Sequence, residues 1–414
     1  MKLRVLVVSQ YFWPENFRIN DLVAELSARG HEVTVLTGEP NYPDGEVFPE
    51  FRENPGNFTT HAGADIVRVP ILARHKGSVR LVLNYLSFVL TGSLLGVWRL
   101  RGRPFDVIFF YQTSPITAAL PALLLRKLKR APLAIWVLDL WPETLAAIGV
   151  VKSKKGLALV GRLVKFIYAR CDRILVQSRG FYSNIERYAG TTSRVRYFPG
   201  WAEPIFQGGL DAIDRAPEMA EFAGSFTLLF AGNIGEAQDF PAILDAAEAL
   251  RDRPDIRWAI VGDGRAAESV REEINRRQLH HQVKLLGRFS MERMPSFFRA
   301  ADALLVTLKA DPIFSMTIPG KVQSYLAAGM PLVAMLDGEG ANVIKAAGAG
   351  MVSPAGNGQA LAANVRLLAD MSAAERAAMG ARAQACCAKD FDRSALISSL
   401  EQWMEELVMR PHTS

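Results

Sequence analysis

Cysteine is scarce in this chain. Cys171, Cys386 and Cys387 are the only three among 414 residues. Adjacent cysteines rarely pair with each other, and Cys171 alone offers no metal-ligand set. The three therefore read as reduced packing residues, which excludes a disulfide framework and a thiolate metal site. No histidine cluster supplies another metal site, and His280-His281 reads as a loop pair. The start lacks the charged, apolar and small-residue regions of a secretory signal, since Met1-Lys2 runs straight into a strand-like run. A cytoplasmic protein is the expectation. Internal low-complexity tracts are missing too. So are a nucleic-acid-binding module and, in the first loop, the glycine fingerprint of a dinucleotide site.

What is present is a repeated opening. Lys2–Gly38 and Phe226–Asp263 each read as an apolar strand, a loop, an amphipathic helix, a polar turn and a second apolar strand. Each is a βαβ unit at the start of one half. In the first, Ile19, Leu22, Val23 and Leu26 fall on one stripe of a helix over 18–29, closed by Gly30. In the second, Phe240, Ile243, Leu244, Ala247 and Leu250 do the same over 240–250. Further buried-strand runs recur at 106–111, 133–138, 173–177, 283–286, 303–306 and 331–334, alternating with helical stretches. This pattern predicts parallel, doubly wound α/β sheets. The halves join near 197–206, where Pro199, Gly200 and Pro204 break structure. A last helix, about 393–408, places Leu396, Leu400, Trp403 and Leu407 on one face and is expected to return to the first domain.

Charge is uneven. Residues 1–200 hold 27 Lys+Arg against 15 Asp+Glu, and the remainder 21 against 27. The cations cluster around apolar helices. From Leu81 to Trp98 the run LVLNYLSFVLTGSLLGVW has no charge at all. As a helix it would be roughly 27 Å long, near the ~30 Å of a bilayer core. Asn84, Ser87 and Thr91 form a mildly polar line, Gly92 and Gly96 interrupt it, and the segment sits inside an α/β pattern. It reads as a helix that is buried or rests on a membrane. Arg74, Lys76 and Arg80 precede it, and Arg99, Arg101 and Arg103 follow. Two more basic-apolar stretches occur at 122–130 and 152–170. Such interleaving suits an anionic membrane surface, whereas nucleic acid would usually bring exposed aromatics.

Several loops carry candidate chemistry. Gly232-Asn233-Ile234-Gly235 links a strand to a helix, and its glycines allow close backbone approach of an anion. Gly262-Asp263-Gly264-Arg265 ends the next strand, and Pro319-Gly320-Lys321 opens a later helix. The three are expected to aim N–H groups at one sheet edge, with Lys321 as the cation. In the first half, Glu15, Asn16 and Arg18 lie between strand and helix, and Glu15 reads equally as a first-turn helix charge. Asp139, Trp141 and Glu143 follow another buried strand, and Asp139 reads equally as a helix cap or turn residue.

The residues then resemble a known family. Segments 11–43, 136–149, 230–240, 260–264 and 318–335 resemble GT-B glycosyltransferases of the family 4 group, especially bacterial enzymes of O-antigen and capsule assembly similar to L-fucosamine transferases. They span nearly the whole chain. The first, second and last are specific, and the glycine loops are not. The resemblance implies two Rossmann-like domains facing a cleft, with the C-terminal helix 393–414 crossing back to the first. It assigns 1–200 to the acceptor and the membrane, and 205–392 to the donor. It implies retaining transfer from a UDP-sugar, without metal or other cofactor, to an undecaprenyl-diphosphate-linked saccharide. The protein would sit on the inner face of the cytoplasmic membrane. Glu15, Asp139 and Lys321 become the catalytic candidates. Asn16, Arg18, Gly232, Asn233, Gly235, Gly262, Gly264, Arg265, Arg288, Pro319, Gly320, Gln323 and Ser324 become donor candidates, and Trp141 and Glu143 acceptor candidates.

Two departures stand out. The family usually carries a Lys shortly after the first C-terminal glycine loop, and here the region offers Glu236, Gln238 and Asp239. It usually places a ribose-binding Glu where this chain has Ser324. Lys321 is then the candidate for the missing charge, and Gln323 or Ser324 for the ribose. Two other readings stand beside it: a UDP-sugar 2-epimerase, which shares the architecture, and a non-catalytic nucleotide- or lipid-binding partner, which the missing Lys and Glu would suit.

Overall fold

The computed structural model describes residues 1–409 apart from Asp44, 75–77, 148–150, Lys152 and Asp211. Lys76, Lys152 and the 410–414 end of the expected last helix lie outside the described residues. The chain forms two compact units. One comprises Met1–Pro199 with the segment from Ser394, the other Gly200–Arg393.

The first unit holds eight strands: β1 (Arg4–Val8), β2 (Glu32–Gly38), β3 (Thr60–His61), β4 (Ala64–Val69), β5 (Val107–Gln112), β6 (Leu133–Val137), β7 (Arg173–Val176) and β8 (Val195–Tyr197). Their order is β3-β4-β2-β1-β5-β6-β7-β8. All pairs are parallel except β3–β4. Strands β1, β5 and β6 are buried along nearly their whole length, which is why they read as continuous apolar runs. β4, next to the short edge strand β3, is less uniformly apolar, and its Asp65 and Arg68 hid it from the apolar-run criterion.

The helices Ser78–Thr91, Ala119–Lys129 and Lys154–Tyr168 follow β4, β5 and β6 and advance in one direction across the sheet. Right-handed crossovers place them on one face. The Arg18–Ala28 helix runs from β1 back to β2 and takes the other face. Its buried stripe is the predicted one, Ile19, Leu22, Val23 and Leu26.

The last helix, Arg393–Met409, does belong to the first unit. Glu401 accepts from Arg29 Nη1 at 2.7 Å and faces His31 Nε2 at 2.8 Å, and Glu406 pairs with the buried Arg173 at 2.7 Å. Its buried stripe is Ile397, Leu400, Met404 and Leu407. The expected Leu396 and Trp403 sit one position off, at the stripe's edge, where Trp403 meets the edge of Phe198.

The second unit holds β9 (Phe226–Ala231), β10 (Ile256–Val261), β11 (Val283–Gly287), β12 (Ala303–Thr307), β13 (Leu332–Met335) and β14 (Gly350–Ser353). Their order is β11-β10-β9-β12-β13-β14, all parallel. Strand order reverses at β1/β5 in the first sheet and at β9/β12 in the second. Loops at the carboxyl ends of strands beside these reversals are where open α/β sheets bind ligands.

The charge-free segment is not buried in the core. The Ser78–Thr91 helix continues through a widened π turn at Gly92–Gly96 into Val97–Arg99. Its inward line is Asn84, Phe88, Gly92 and Gly96 at four-residue spacing. Asn84 accepts from Gln10 Nε2 at 2.7 Å and donates to the Leu72 carbonyl at 2.6 Å. Cβ atoms at Gly92 and Gly96 would lie 3.0 Å from Pro121 and Leu36, so both glycines permit close helix packing. The outward line is Val82, Leu86, Leu90, Leu94 and Trp98, between 49% and 63% exposed. The inward line thus carries one polar side chain, Asn84, beside Phe88 and two glycines, while an apolar line faces out.

Candidate functional site

In the second unit, two glycine loops interlock. Gly232 has φ +138° and Gly262 has φ +148°, in the region that side chains avoid. A Cβ on Gly262 would lie 1.8 Å from the Gly232 carbonyl oxygen. Gly232 N donates to Val261 O at 2.8 Å, Ile234 N to Asp263 O at 2.9 Å and Gly262 N to Gly287 O at 2.8 Å. Gly264 N donates to Asp263 Oδ1 at 2.7 Å. The expectation that all these loops present free amides to a ligand is corrected here. Gly232 and Gly262 spend their amides tying neighbouring strand ends together, and Gly264 spends its amide on the Asp263 side chain of its own loop. The Asn233 and Gly235 amides carry no bond among the described residues. Arg265 and Arg288, at the ends of β10 and β11, are exposed and without ion pairs among the described residues.

Lys321 points into this loop. Helix Gly320–Ala328 starts after Pro319, whose fixed φ suits a helix entry. Its first turn sends the Lys321 side chain under Gly232, where a Cβ would lie 2.6 Å from Lys321 Cε and 2.8 Å from Nζ. The stem keeps some exposure, but Nζ is enclosed and has no hydrogen-bond partner among the described residues. It sits over the Phe230 ring, 3.5 Å from its centroid. Desolvation alone lowers its pKa to about 7. One turn on, the fully buried Tyr325 hydroxyl is 3.2 Å from Ala231 N and 3.3 Å from Ala231 O. It ties the helix to the end of β9.

The other two donor candidates on this helix are differently occupied. Gln323 is buried, and its amide nitrogen reaches Pro319 O at 2.9 Å and Gly320 O at 3.0 Å. That inward turn corrects its assignment as a ribose ligand. Ser324 Oγ donates to Glu203 Oε2 at 2.7 Å and lies 3.2 Å from Gly320 O. Glu203 was missed because it lies in the proline-broken linker, 121 residues from its partner Ser324.

In the first unit, Glu15 is buried. Oε1 accepts from Asn41 N and Tyr42 N at 2.8 Å each, and Oε2 accepts from Phe12 N at 3.1 Å. Burial pushes its pKa up to about 7 against these bonds. Both oxygens are occupied by backbone, so the structure corrects Glu15 from a free catalytic carboxylate to a clamp between two loops. Asn16 beside it is exposed. Arg18 opens the helix, near the Tyr111 phenol.

Asp139 follows β6, half-buried, and its Oδ2 accepts from Ser114 Oγ at 2.8 Å. Ser114 in turn accepts from Trp141 Nε1 at 3.1 Å, and Gln112 Nε2 donates to Asp139 O at 2.8 Å. Burial raises the Asp139 pKa, opposed by Ser114. Asp139 does not cap a helix, because the next one begins at Glu143. Trp141 is nearly buried, holding that network in place. Glu143 Oε1 accepts from Tyr188 OH at 3.0 Å and faces Arg187 Nη1 at 3.5 Å. Ser114, Gln112 and Tyr188 were not legible, since each lies on a different element from its partner.

Two doubly wound parallel units, with a reserved cation under a glycine loop in one and a carboxylate network at a strand end in the other, define a GT-B protein. The comparisons agree. Residues 16–201 match the glycosyl transferase 4-like domain, and residues 225–370 match glycosyl transferases group 1. The chain is 24% identical over 346 residues to the putative colanic acid biosynthesis glycosyl transferase WcaI of Escherichia coli K12, covering 79% of this chain and 82% of that one. It is 28% identical over 255 residues to the probable glycosyltransferase WbjE of Pseudomonas aeruginosa, covering 58% and 62%. The structure of Anabaena HepE with UDP and glucose superposes with a TM-score of 0.67 at 15% identity, covering 97% and 99%. The chain belongs to the GT-B glycosyltransferases of the family 4 and group 1 type, and it is an enzyme of sugar transfer.

Proposed function

We propose that the protein moves a sugar, of the N-acetyl-L-fucosamine type, from a UDP-sugar to a lipid-diphosphate-linked saccharide, with retention and without a metal or other cofactor. The observation that carries this is Lys321, an enclosed amine beside a glycine loop, with no acidic partner among the described residues. A departing nucleoside diphosphate develops charge on its β-phosphate, and preorganised donors there lower the barrier. Lys321 Nζ with the Asn233 and Gly235 amides fits that task, with Arg265 and Arg288 in reserve at neighbouring strand ends. Asp139, held by Ser114, suits an acceptor hydroxyl. The HepE structure contains UDP, which supports a uridine nucleotide. The WcaI relative is named for colanic acid, which supports assembly of a surface polysaccharide.

The outward apolar line at 82–98 supports peripheral attachment to an anionic membrane on the cytoplasmic side. Exposed Leu124, Leu128, Leu159 and Phe166 lie on the two neighbouring helices of the same face. The segment is long enough to span a bilayer, but Asn84 is bonded inward to Gln10 and Leu72, which favours lying on the surface. Thermal unfolding with a panel of UDP-, GDP- and dTDP-sugars tests the donor. One UDP-sugar should protect and then be turned over with an undecaprenyl-diphosphate-linked acceptor, with or without a chelator. A panel with no protection overturns the reading.

A further inference from the structure

We propose that a groove beside the Trp141–Glu143 loop seats the prenyl-diphosphate portion of the acceptor, a refinement that rests on the lipid-linked reading above. The groove, about 420 Å³, lies between the Lys154–Tyr168 helix and Tyr188. Its floor is apolar, formed by Pro142, Leu157 and Ala158. Gly161 lets the Tyr188 ring lie against the helix, since a Cβ there would meet Tyr188 Cε1 at 3.2 Å.

Its rim is cationic. Arg162 and Lys165 stand three residues apart, on one helix face, and both are exposed. Neither has an acidic partner among the described residues. Arg187 is the third cation, and the Glu143 carboxylate it faces also accepts from Tyr188. That bond joins the groove wall to the loop that carries Asp139, four residues earlier.

The occupant follows from the two chemistries side by side. Free phosphate needs the cations but not the floor, and an isoprenoid alcohol needs the floor but not the cations. A prenyl diphosphate uses both. The neighbouring Leu159, 67% exposed, and Phe166, 43% exposed, extend the apolar surface away from the rim on the same helix. The hydrocarbon would leave the groove along that surface. The saccharide at its other end would lie toward Asp139.

The test titrates the full-length protein with farnesyl diphosphate, inorganic pyrophosphate and farnesol, and follows UDP-dependent thermal protection in parallel. Farnesyl diphosphate should bind at least tenfold more tightly than either fragment. Arg162→Ala/Lys165→Ala and, separately, Ala158→Trp should each weaken it at least tenfold while UDP protection stays unchanged. If both variants bind farnesyl diphosphate like the wild type, the groove assignment is overturned and the lipid-diphosphate acceptor stands. If pyrophosphate binds as tightly as farnesyl diphosphate, the site is a plain anion site and the prenyl assignment falls. If the wild type binds no farnesyl diphosphate, the acceptor reading falls with it.

Discussion

Lys321 Nζ rests 3.5 Å from the centroid of the Phe230 ring and touches no carboxylate among the described residues. An aromatic face gives a desolvated ammonium about 2 kcal/mol, well short of what water gave it. The site thus holds a cation that is under-stabilised until an anion arrives.

Lys321→Met should separate function from fold. Removing an unpaired buried charge leaves the apolar stem in place, so thermal stability should hold or rise. Turnover should fall about 10²–10³-fold, the usual effect of losing one charge-stabilising donor. Steady-state kinetics beside a melting curve would decide it, and near wild-type turnover would remove Lys321 from the phosphate site.

The same lysine sets a proton linkage. Its pKa is lowered from 10.5 to about 7 by burial. Between those values the unfolded chain binds more protons, so this group makes the unliganded protein more stable as pH rises from about 7 toward 10.5. A bound diphosphate favours the charged form. UDP binding near pH 8 should therefore take up a proton, and affinity should decline as pH climbs. Calorimetry in two buffers of different ionisation enthalpy measures the uptake. Equal observed enthalpies in the two buffers would mean no proton uptake and would contradict the assignment.

Glu15 offers the opposite case. Its raised pKa makes its contribution to stability decline between about 4.5 and 7 as the carboxyl is forced to ionise. Glu15→Gln should flatten that slope but leave the Phe12 N–H facing an amide, at about 1–3 kcal/mol. A clamp predicts turnover within about tenfold of wild type, whereas a general base would lose about 10²–10⁴-fold. A folded Glu15→Gln protein with the larger loss would return Glu15 to the chemistry.

How much of this was legible follows from the range of each interaction. The Ile19–Leu26 and Phe240–Leu250 stripes, the parallel strands and the linker near Pro199 are local patterns, and the structure contains them. Lys321 became a candidate through the family resemblance, whose usual loop lysine is missing among Glu236, Gln238 and Asp239, and its place under Gly232 needed the structure. The pairings were not. Glu15 meets Asn41 across 26 residues and Ser324 meets Glu203 across 121, and no spacing rule connects such positions. Free glycine amides were a sound local expectation, defeated because two loops bond to each other. The 81–98 segment was ambiguous because composition gives apolarity but not which side faces out.

Glu203, held by Ser324, brings a linker carboxylate up against the Lys321 helix. If it receives hydroxyl donors of a bound nucleotide, Ser324→Ala should free it to rotate. The donor KM should rise several-fold with kcat little changed, and Glu203→Gln should do the same or more. The split matters, since Lys321→Met is expected to act mainly on kcat. Unchanged donor KM in both variants would leave the pair a purely structural contact.

The outward line of the 82–98 helix gives the last prediction. Leu86 is 53% and Leu90 61% exposed, so Leu86→Asp/Leu90→Asp removes apolar surface without opening a cavity. The melting temperature should stay nearly constant. Wild-type protein should float with vesicles rich in phosphatidylglycerol at low salt, and the double variant should not. Apolar insertion gains about 0.8 kcal/mol per buried CH₂ and resists salt, whereas attraction to headgroups is screened beyond about 8 Å at physiological ionic strength. Partial flotation surviving 1 M salt therefore assigns the binding to the leucine line rather than to Arg80, Arg99 and Arg101. Wild-type protein that stays at the bottom of a low-salt gradient would mean that this line faces something other than lipid.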